Sequence, residues 1–360
     1  MGKKILITGV TGQDGANMCE YLIGLNKKGE DYKVFGMVRR SSNPNMSNCS
    51  KFINDESFQI VYGDLTDTVS IDNLVREIQP DFIINFAANS FVGCSWDSPL
   101  HVLDTNAGGV IRFLEAIRKH SPKCRFYSAG SSEEFGDVDY SPQDMKHPLK
   151  PRSPYGASKC TARHMVKVYR ESYGIYAVHA TLFNHEGTKR GEEFVTRKIT
   201  KNVARLHKEI SAYLESGHQS KIKPMELGNI YAKRDWSDSE DFIEGIWLMM
   251  NQDEPDDYLL ASGETHTIKE FVEKAFSEAG ISGNWMEDET DPLKTKFYLN
   301  SSEAIPLVVI NPKFYRPNEV ELLLGNPNET KEKLGWEPKN SFDFLVRKMV
   351  RSDLNEAEEK

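Results

Sequence analysis

The sequence holds no apolar run long enough to cross a membrane and no excess of basic residues, and its cysteines are few. Its five cysteines, Cys19, Cys49, Cys94, Cys124 and Cys160, are odd in number and never spaced as a Cys-x-x-Cys pair. That argues against a disulfide framework and against a zinc site, so no metal is expected and a reducing, cytoplasmic setting is. The first apolar stretch, Ile5 to Ile7, is far too short for a signal segment or a membrane span. With a net charge of −9 and both signs interspersed, the chain offers no stripe for nucleic acid. What is present is ordinary: 360 residues, 39% of them hydrophobic, enough for one large domain or two modest ones.

From Lys4 to about Ser132, short β-branched runs alternate with amphipathic stretches. Ile5–Ile7, Val34–Val38, Gln59–Tyr62, Phe82–Ile84 and Arg125–Tyr127 read as strands, with helices around 18–25, 71–78 and 110–118 between them. Strands separated by helices require crossovers, hence a doubly wound α/β fold on a parallel sheet. Beyond His185 the rhythm loosens, and a smaller mixed α/β region is expected. The boundaries implied are a dinucleotide-binding domain over 1–185, joined again by about 225–262, and a substrate-binding domain over 186–224 and 263–360. Asp353 to Lys360 reads as a frayed tail.

The first strand feeds Thr8-Gly9-Val10-Thr11-Gly12-Gln13-Asp14-Gly15. Glycines at that spacing permit a tight turn, let backbone approach a pyrophosphate, and seat the following helix on the sheet with its free N–H groups toward the anion. A plain strand-to-helix turn needs one glycine, not three. The second strand ends in Val38-Arg39-Arg40-Ser41-Ser42, where an NAD site would carry an acidic residue; two arginines and two serines favour a 2′-phosphate, so NADP is the expected cofactor. Asp64 and Leu65, ending the third strand, would lie beside the adenine.

Tyr155 and Lys159 lie four residues apart, on one helical face. An ammonium beside a phenol suits proton transfer to or from a carbinol as hydride moves. Ser131 follows the strand that ends near Tyr127, where its hydroxyl could bond a reacting oxygen. Glu133, two residues on, is the candidate base for a carbon acid, with Glu134 second by adjacency.

The glycine turn, Asp64-Leu65, Asn106 and the Tyr155/Lys159 pair together resemble the extended short-chain dehydrogenase/reductases. Further stretches, among them Gly63 to Asp67, Ser131-Ser132-Glu133, Pro151 to Gly156, Leu182 to Glu186, Phe194 to Lys198, Ala232 to Trp236 and Tyr315-Arg316-Pro317, are similar to the GDP-mannose 4,6-dehydratases. The resemblance implies oxidation at C4 of a GDP-hexose, elimination of water across C5 and C6, and return of hydride to C6, with Glu133 or Ser132 protonating the leaving hydroxyl. It also implies that Phe86, Ala87, Ala88, Ser90, His185 and Arg190 approach the cofactor. Ser90, Asn184, Glu186, Thr196, Lys198, Asn229, Arg234, Arg316 and Glu319 would hold the GDP-sugar, the small-molecule partner. A homodimer or homotetramer is implied too, with the loop from Arg39 to Cys49 a candidate contact.

Several positions depart from that pattern. Ser131 stands for a threonine, Glu134-Phe135 for a Leu-Tyr pair, His101 for a tyrosine and Phe91 for a histidine, and Leu206 to Pro224 is longer than the matching loop. Another GDP-sugar such as a heptose, or an epimerase or reductase of the same fold, therefore stays an alternative. A non-enzymatic NADP sensor would need a decayed catalytic pair, and Ser131, Tyr155 and Lys159 are intact.

Overall fold

The computed structural model describes residues 2–216, 222–300, 302–315 and 322–359. Apolar, β-branched Lys3–Thr8 forms β1, and the glycine turn opens α1 (Gln13–Asn26). There follow β2 (Tyr32–Val38), β3 (Phe58–Tyr62), α2 (Thr68–Ile78), β4 (Phe82–Asn85), α3 (Pro99–Leu103), α4 (Gly109–His120) and β5 (Arg125–Ala129). Next come α5 (Pro154–Tyr173), β6 (Ala177–Leu182), β7 (Asn184–Glu186) and α6 (Val195–Ser216). The remainder comprises β8 (Met225–Leu227), β9 (Lys233–Arg234), β10 (Trp236–Asp238), α7 (Ser239–Met250), β11 (Asp257–Leu260), β12 (His266–Thr267), α8 (Ile268–Glu278), β13 (Gly283–Met286), β14 (Lys296–Leu299), β15 (Ser302–Ile310), β16 (Leu322–Leu323), α9 (Asn328–Leu334) and α10 (Phe342–Glu359).

Seven strands pair in the order β11-β6-β5-β4-β1-β2-β3, all parallel. Both faces are covered, and β4 and β6 are buried at every position, with Asn85, His179 and Thr181 standing among otherwise apolar residues. Met18, Leu22 and Ile23 of α1 pack with Phe242, Ile246 and Trp247 of α7 on one face. On the other, Ile71 and Val75 of α2, Phe113 and Ile117 of α4 and Val166 of α5 close a second core.

A third core belongs to the second lobe, where α6, α8 and α10 stack on the sheet β13-β14-β15-β8 through Val203, Phe271, Phe276, Leu307 and Leu345. The chain's return to the parallel sheet begins later than the expected 225. Met225–Leu227 pairs with β15 and Lys233–Arg234 with β12 and β16; only α7 and β11 rejoin the large sheet. Trp336 comes back as well, its indole N–H donating to Asp241 O at 2.9 Å.

The expected frayed tail is instead the last turns of α10. Asp353 is 1% exposed and pairs with Arg197 of α6 at 2.8 Å, so a buried ion pair anchors a segment whose composition reads as solvated. Leu206–Ser216 is likewise helix rather than loop, and 217–221 lie outside the described residues. No helix among the described residues is long and apolar enough to cross a membrane.

Candidate active site

The strand order reverses between β1 and β4, and their carboxyl ends are where a ligand of an open parallel sheet binds. Here the Thr8 hydroxyl donates to Asn85 Oδ1 at 2.7 Å and accepts the Ala87 N–H at 2.9 Å, tying the two strand ends together. A cleft of about 1140 Å³ opens above this point and runs into the second lobe. That volume exceeds a typical single-ligand pocket and suits two ligands side by side.

Gly9, Thr11, Gly12, Gln13, Asp14 and Gly15 line one end. Gly9 has φ +68°, and a Cβ on it would meet Ala87 N at 2.9 Å; on Gly15 a Cβ would sit 2.3 Å from Gly9 O. The turn can therefore be built only with glycine at both places, and it leaves backbone N–H groups at the α1 start facing the cleft. Asp14 bonds His185 Nε2 at 2.9 Å while His185 Nδ1 lies 2.8 Å from Phe183 O. A carboxylate on one nitrogen and a carbonyl on the other are both acceptors, an arrangement that favours the imidazolium. Burial opposes that charge, but the Asp14 carboxylate outweighs it and holds His185 above the usual imidazole range, and Asp14 is held below the usual carboxylate range despite burial. Asp64 is kept low as well, its burial offset by the Thr66 bonds and the charges of Arg39 and His101.

Tyr155 and Lys159 reach the middle of the cleft from α5, which starts cleanly because Ser153 caps it, accepting the Gly156 N–H at 3.0 Å, and Pro154 occupies its first turn. The Lys159 ammonium donates to Ala129 O at 2.7 Å and stands 5.7 Å from the Tyr155 ring. Burial brings Lys159 down to about 8, against the opposing charges of Glu134 and Asp14. Burial also raises Tyr155, and the Ser131 hydroxyl bonded to it pulls the other way. Asn106 sits in a π-turn (Asp104–Gly108) between α3 and α4, and its amide clamps Ser158 Oγ at 3.0 Å and the backbone of Asn89. A π-turn re-aims one side chain inside a helix, here toward the start of α5.

Ser131 caps a single 3-10 turn, Ser132–Glu134, at the end of β5. Ser131, Ser132 and Glu133 line the cleft beside Tyr155; Glu134 does not, and its side chain is fully buried beneath the turn. Adjacent in sequence, the two glutamates thus face opposite ways, and only Glu133 is placed to meet a ligand.

Among the other residues singled out, Arg39, Leu65, Phe86, Ala87, Ala88, Ser90, Asn184, Glu186, Arg190, Lys198, Asn229 and Arg234 line the cleft. Arg40, Ser41 and Ser42 do not: β2 ends at Val38 and the chain turns out into solvent. Thr196 does not either, because it is fully buried and donates to Glu186 Oε2 at 2.6 Å, a support for Glu186. Arg316 and Glu319 lie outside the described residues. No described residue from Leu206 to Pro224 lines the cleft.

Sequence reasoning missed an aromatic wall. Trp96, Phe194 and Phe314 join Phe91 around the cleft; Arg190 stacks 3.5 Å over the Phe194 ring, and the Lys198 ammonium 3.4 Å over Phe314. Phe91, Trp96 and Phe314 are between 39% and 47% exposed, a sign of ligand contact that aromatic identity alone cannot give. Asn184 Oδ1 and Gln13 Oε1, both on cleft-lining side chains, are buried without a hydrogen-bond partner among the described residues. Such atoms call for a ligand or water.

A seven-stranded parallel sheet, a glycine turn after its first strand and a Tyr/Lys pair one strand connection before β6 define the chain as an extended short-chain dehydrogenase/reductase. Within that class it belongs to the GDP-mannose 4,6 dehydratase family, whose sequence profile matches residues 6–349. It is 40% identical to the GDP-mannose 4,6-dehydratase of Yersinia enterocolitica over 99% of this chain and 95% of that protein. It is 38% identical to the human GDP-mannose 4,6 dehydratase, over 97% and 91%. Its fold is similar to that of the dTDP-glucose 4,6-dehydratase of Streptomyces venezuelae, solved with NAD, at TM-score 0.76 and 20% identity over 97% and 96% of the two chains.

Proposed function

We propose that this chain dehydrates GDP-mannose to GDP-4-keto-6-deoxymannose with NADP, as a hydro-lyase with no net redox change. The observation that carries the proposal is the position of Glu133: a carboxylate in the same cleft as Tyr155, Lys159 and Ser131, which a simple C4 reductase or epimerase has no use for. Names of full-length relatives support the same substrate.

The cleft suits a dinucleotide. The glycine cradle that any Cβ would fill and the α1 N–H groups fit a pyrophosphate, and Asp64 and Leu65 border the adenosine end. Arg39, which faces Asp64, is the residue we assign to the 2′-phosphate. The nicotinamide, when bound, supplies a hydride store between C4 and C6 of the hexose.

Tyr155 Oη takes the C4 hydroxyl proton, with the Lys159 ammonium stabilising the phenolate and the Ser131 hydroxyl holding the same oxygen. The resulting ketone acidifies C5, and Glu133 takes that proton. Water departs from C6 with a proton from Glu133 or Ser132, and C5 is reprotonated after reduction at C6. Lys198 and Arg234 hold the diphosphate, Asn184 with its unpartnered oxygen, Glu186 and Asn229 the sugar nucleotide, and the aromatic wall excludes water.

Incubating the purified protein with GDP-mannose and following product mass tests this. Loss of one water without added reductant is expected. Absence of that product, with turnover of a GDP-heptose instead, would replace the substrate and keep the chemistry. The Glu133→Gln variant should retain cofactor yet fail to exchange the C5 proton with solvent. Assembly as a homodimer or homotetramer is the accompanying expectation, read by light scattering.

A further inference from the structure

The face of α5 that carries Tyr155 and Lys159 continues one turn further to Arg163. Arg163 does not enter the cleft. Its guanidinium lies 3.6 Å from Glu134 Oε2. The other oxygen of that carboxylate accepts the Ser131 N–H at 2.7 Å and lies 3.1 Å from His179 Nε2 on β6. The two elements that deliver the reacting groups, the turn after β5 and α5, therefore meet β6 on one buried negative charge. The local backbone is built for it: a Cβ on Gly130 would come within 2.3 Å of His179 Nε2 and 2.7 Å of Glu134 Oε1. The residue before that glycine, Ala129, supplies the carbonyl that holds Lys159.

We infer that Glu134 is a positioning residue, whose carboxylate pins the Ser131–Glu133 turn against α5 and acts as the buried counter-charge for the Lys159 ammonium beneath Tyr155. The inference rests on Tyr155 and Lys159 being the redox pair. An apolar side chain would fill the same volume without the desolvation cost of burying ions, so a role in packing alone does not account for a glutamate here.

The electrostatics agree. Burial works against a charged Glu134, yet His179, Arg163 and the Ser131 N–H hold it below the usual carboxylate range. Among the charges that keep Lys159 protonated against burial, Glu134 comes first and Asp14 of α1 second. The remaining groups around the cluster are engaged elsewhere. Asp257 of β11, which feels His179 and Arg163, pairs with Arg170 at 2.8 Å, and Asp14 pairs with His185. From β5, Ser128 Oγ is 3.3 Å from His179 Nδ1, and the Cys160 thiol of α5 donates to the Glu134 carbonyl at 3.5 Å. On the cleft side, Tyr155 itself is raised by burial, lowered by its Ser131 bond and raised again by Glu133 and Glu134.

Two variants separate charge from position: Glu134→Gln keeps the shape and an acceptor without the charge, and Glu134→Asp keeps the charge on a shorter arm. Each is read by the pH dependence of Lys159 amine acylation followed by mass spectrometry, by hydrogen exchange at the Ser131 amide, and by the pH profile of kcat. The first two readouts need no sugar, so they stand even if GDP-mannose proves not to be the substrate. Glu134→Gln is expected to move the Lys159 acylation midpoint acid-ward by about half a unit. The basic limb of kcat should move with it, with KM within about twofold of the unaltered protein. Glu134→Asp should leave the midpoint in place and speed Ser131 exchange. A folded Glu134→Gln protein with the unaltered midpoint and basic limb overturns the inference. Should that variant not fold, Ser131 exchange in Glu134→Asp as slow as in the unaltered protein overturns it.

Discussion

A buried phenol is a poor base, and in the proposed reaction Tyr155 would gain its competence from what surrounds it: the Ser131 hydroxyl on its oxygen and the Lys159 ammonium beside its ring. Tyr155→Phe removes the proton acceptor and little else, because the ring stays packed. It should lower kcat by about a thousandfold with KM nearly unchanged, in steady-state assays of water loss; a parallel rise in KM would mean that the hydroxyl serves binding instead. The Asp14–His185 pair gives a residue-scale prediction about stability. His185 is raised above its unfolded value, so its contribution is complete below about pH 6.5 and fades as pH rises through the folded value. Asp14 is lowered, so its share appears above the unfolded carboxylate value and is lost only as pH falls through the folded one. The stability gap between the unaltered apoprotein and His185→Gln should thus be widest near pH 6 and shrink toward pH 9, measured by urea midpoints. An equal gap at both would show that the imidazolium charge is not what the pair contributes.

At the scale of elements, α10 shows what composition conceals. Arg197 of α6 is 6% exposed, and Asp353 answers it from the penultimate turns of the chain. Asp353→Ala leaves a buried guanidinium with Glu356 as its remaining carboxylate at 3.5 Å, and should cost about 3 kcal/mol in denaturant unfolding. An unchanged midpoint would return these residues to the status of a tail. The segment reads as solvated because acidic residues run through it; a salt bridge to a partner some 150 positions away leaves no local pattern. By contrast β1 to β5 were legible to within about two residues at each end, since strands of a helix-covered parallel sheet are rich in apolar residues and the helices between them are amphipathic. The second lobe was not. Its strands β8, β9, β12 and β16 are two or three residues long, too short for a period, and they pair with partners distant in sequence, β8 with β15 and β9 with β12 and β16. The site divides along the same line: the glycine turn and the Tyr155/Lys159 pair are local patterns, whereas the opposed directions of Glu133 and Glu134 and the aromatic wall of the cleft depend on tertiary placement.

Taken whole, the molecule carries a net charge of −9 and nevertheless presents a cleft suited to two anionic ligands. It does so by placement rather than by an excess of cations: Arg39, Arg190, Lys198, Arg234 and Lys313, drawn from both lobes, line it alongside Asp14, Asp64, Asp97, Glu133, Glu186 and Glu193. Two of them stack on aromatic rings, Arg190 on Phe194 and Lys198 on Phe314, which orients the charges before a ligand arrives. Burial also lowers the Lys198 pKa, against the charge of Glu226, and a phosphate beside it would offset that desolvation. Lys198→Met keeps the contact with Phe314 and removes the charge; the loss of one charge-assisted bond corresponds to about 2 kcal/mol, or roughly a thirtyfold rise in KM for the nucleotide sugar at constant kcat. Because the remaining field is screened, KM of the unaltered protein should also climb with salt between about 0.05 and 0.5 M, and the Lys198→Met protein should climb less steeply. Equal salt slopes for the two would place Lys198 outside the diphosphate's reach and leave Arg234 and Lys313 to account for the binding.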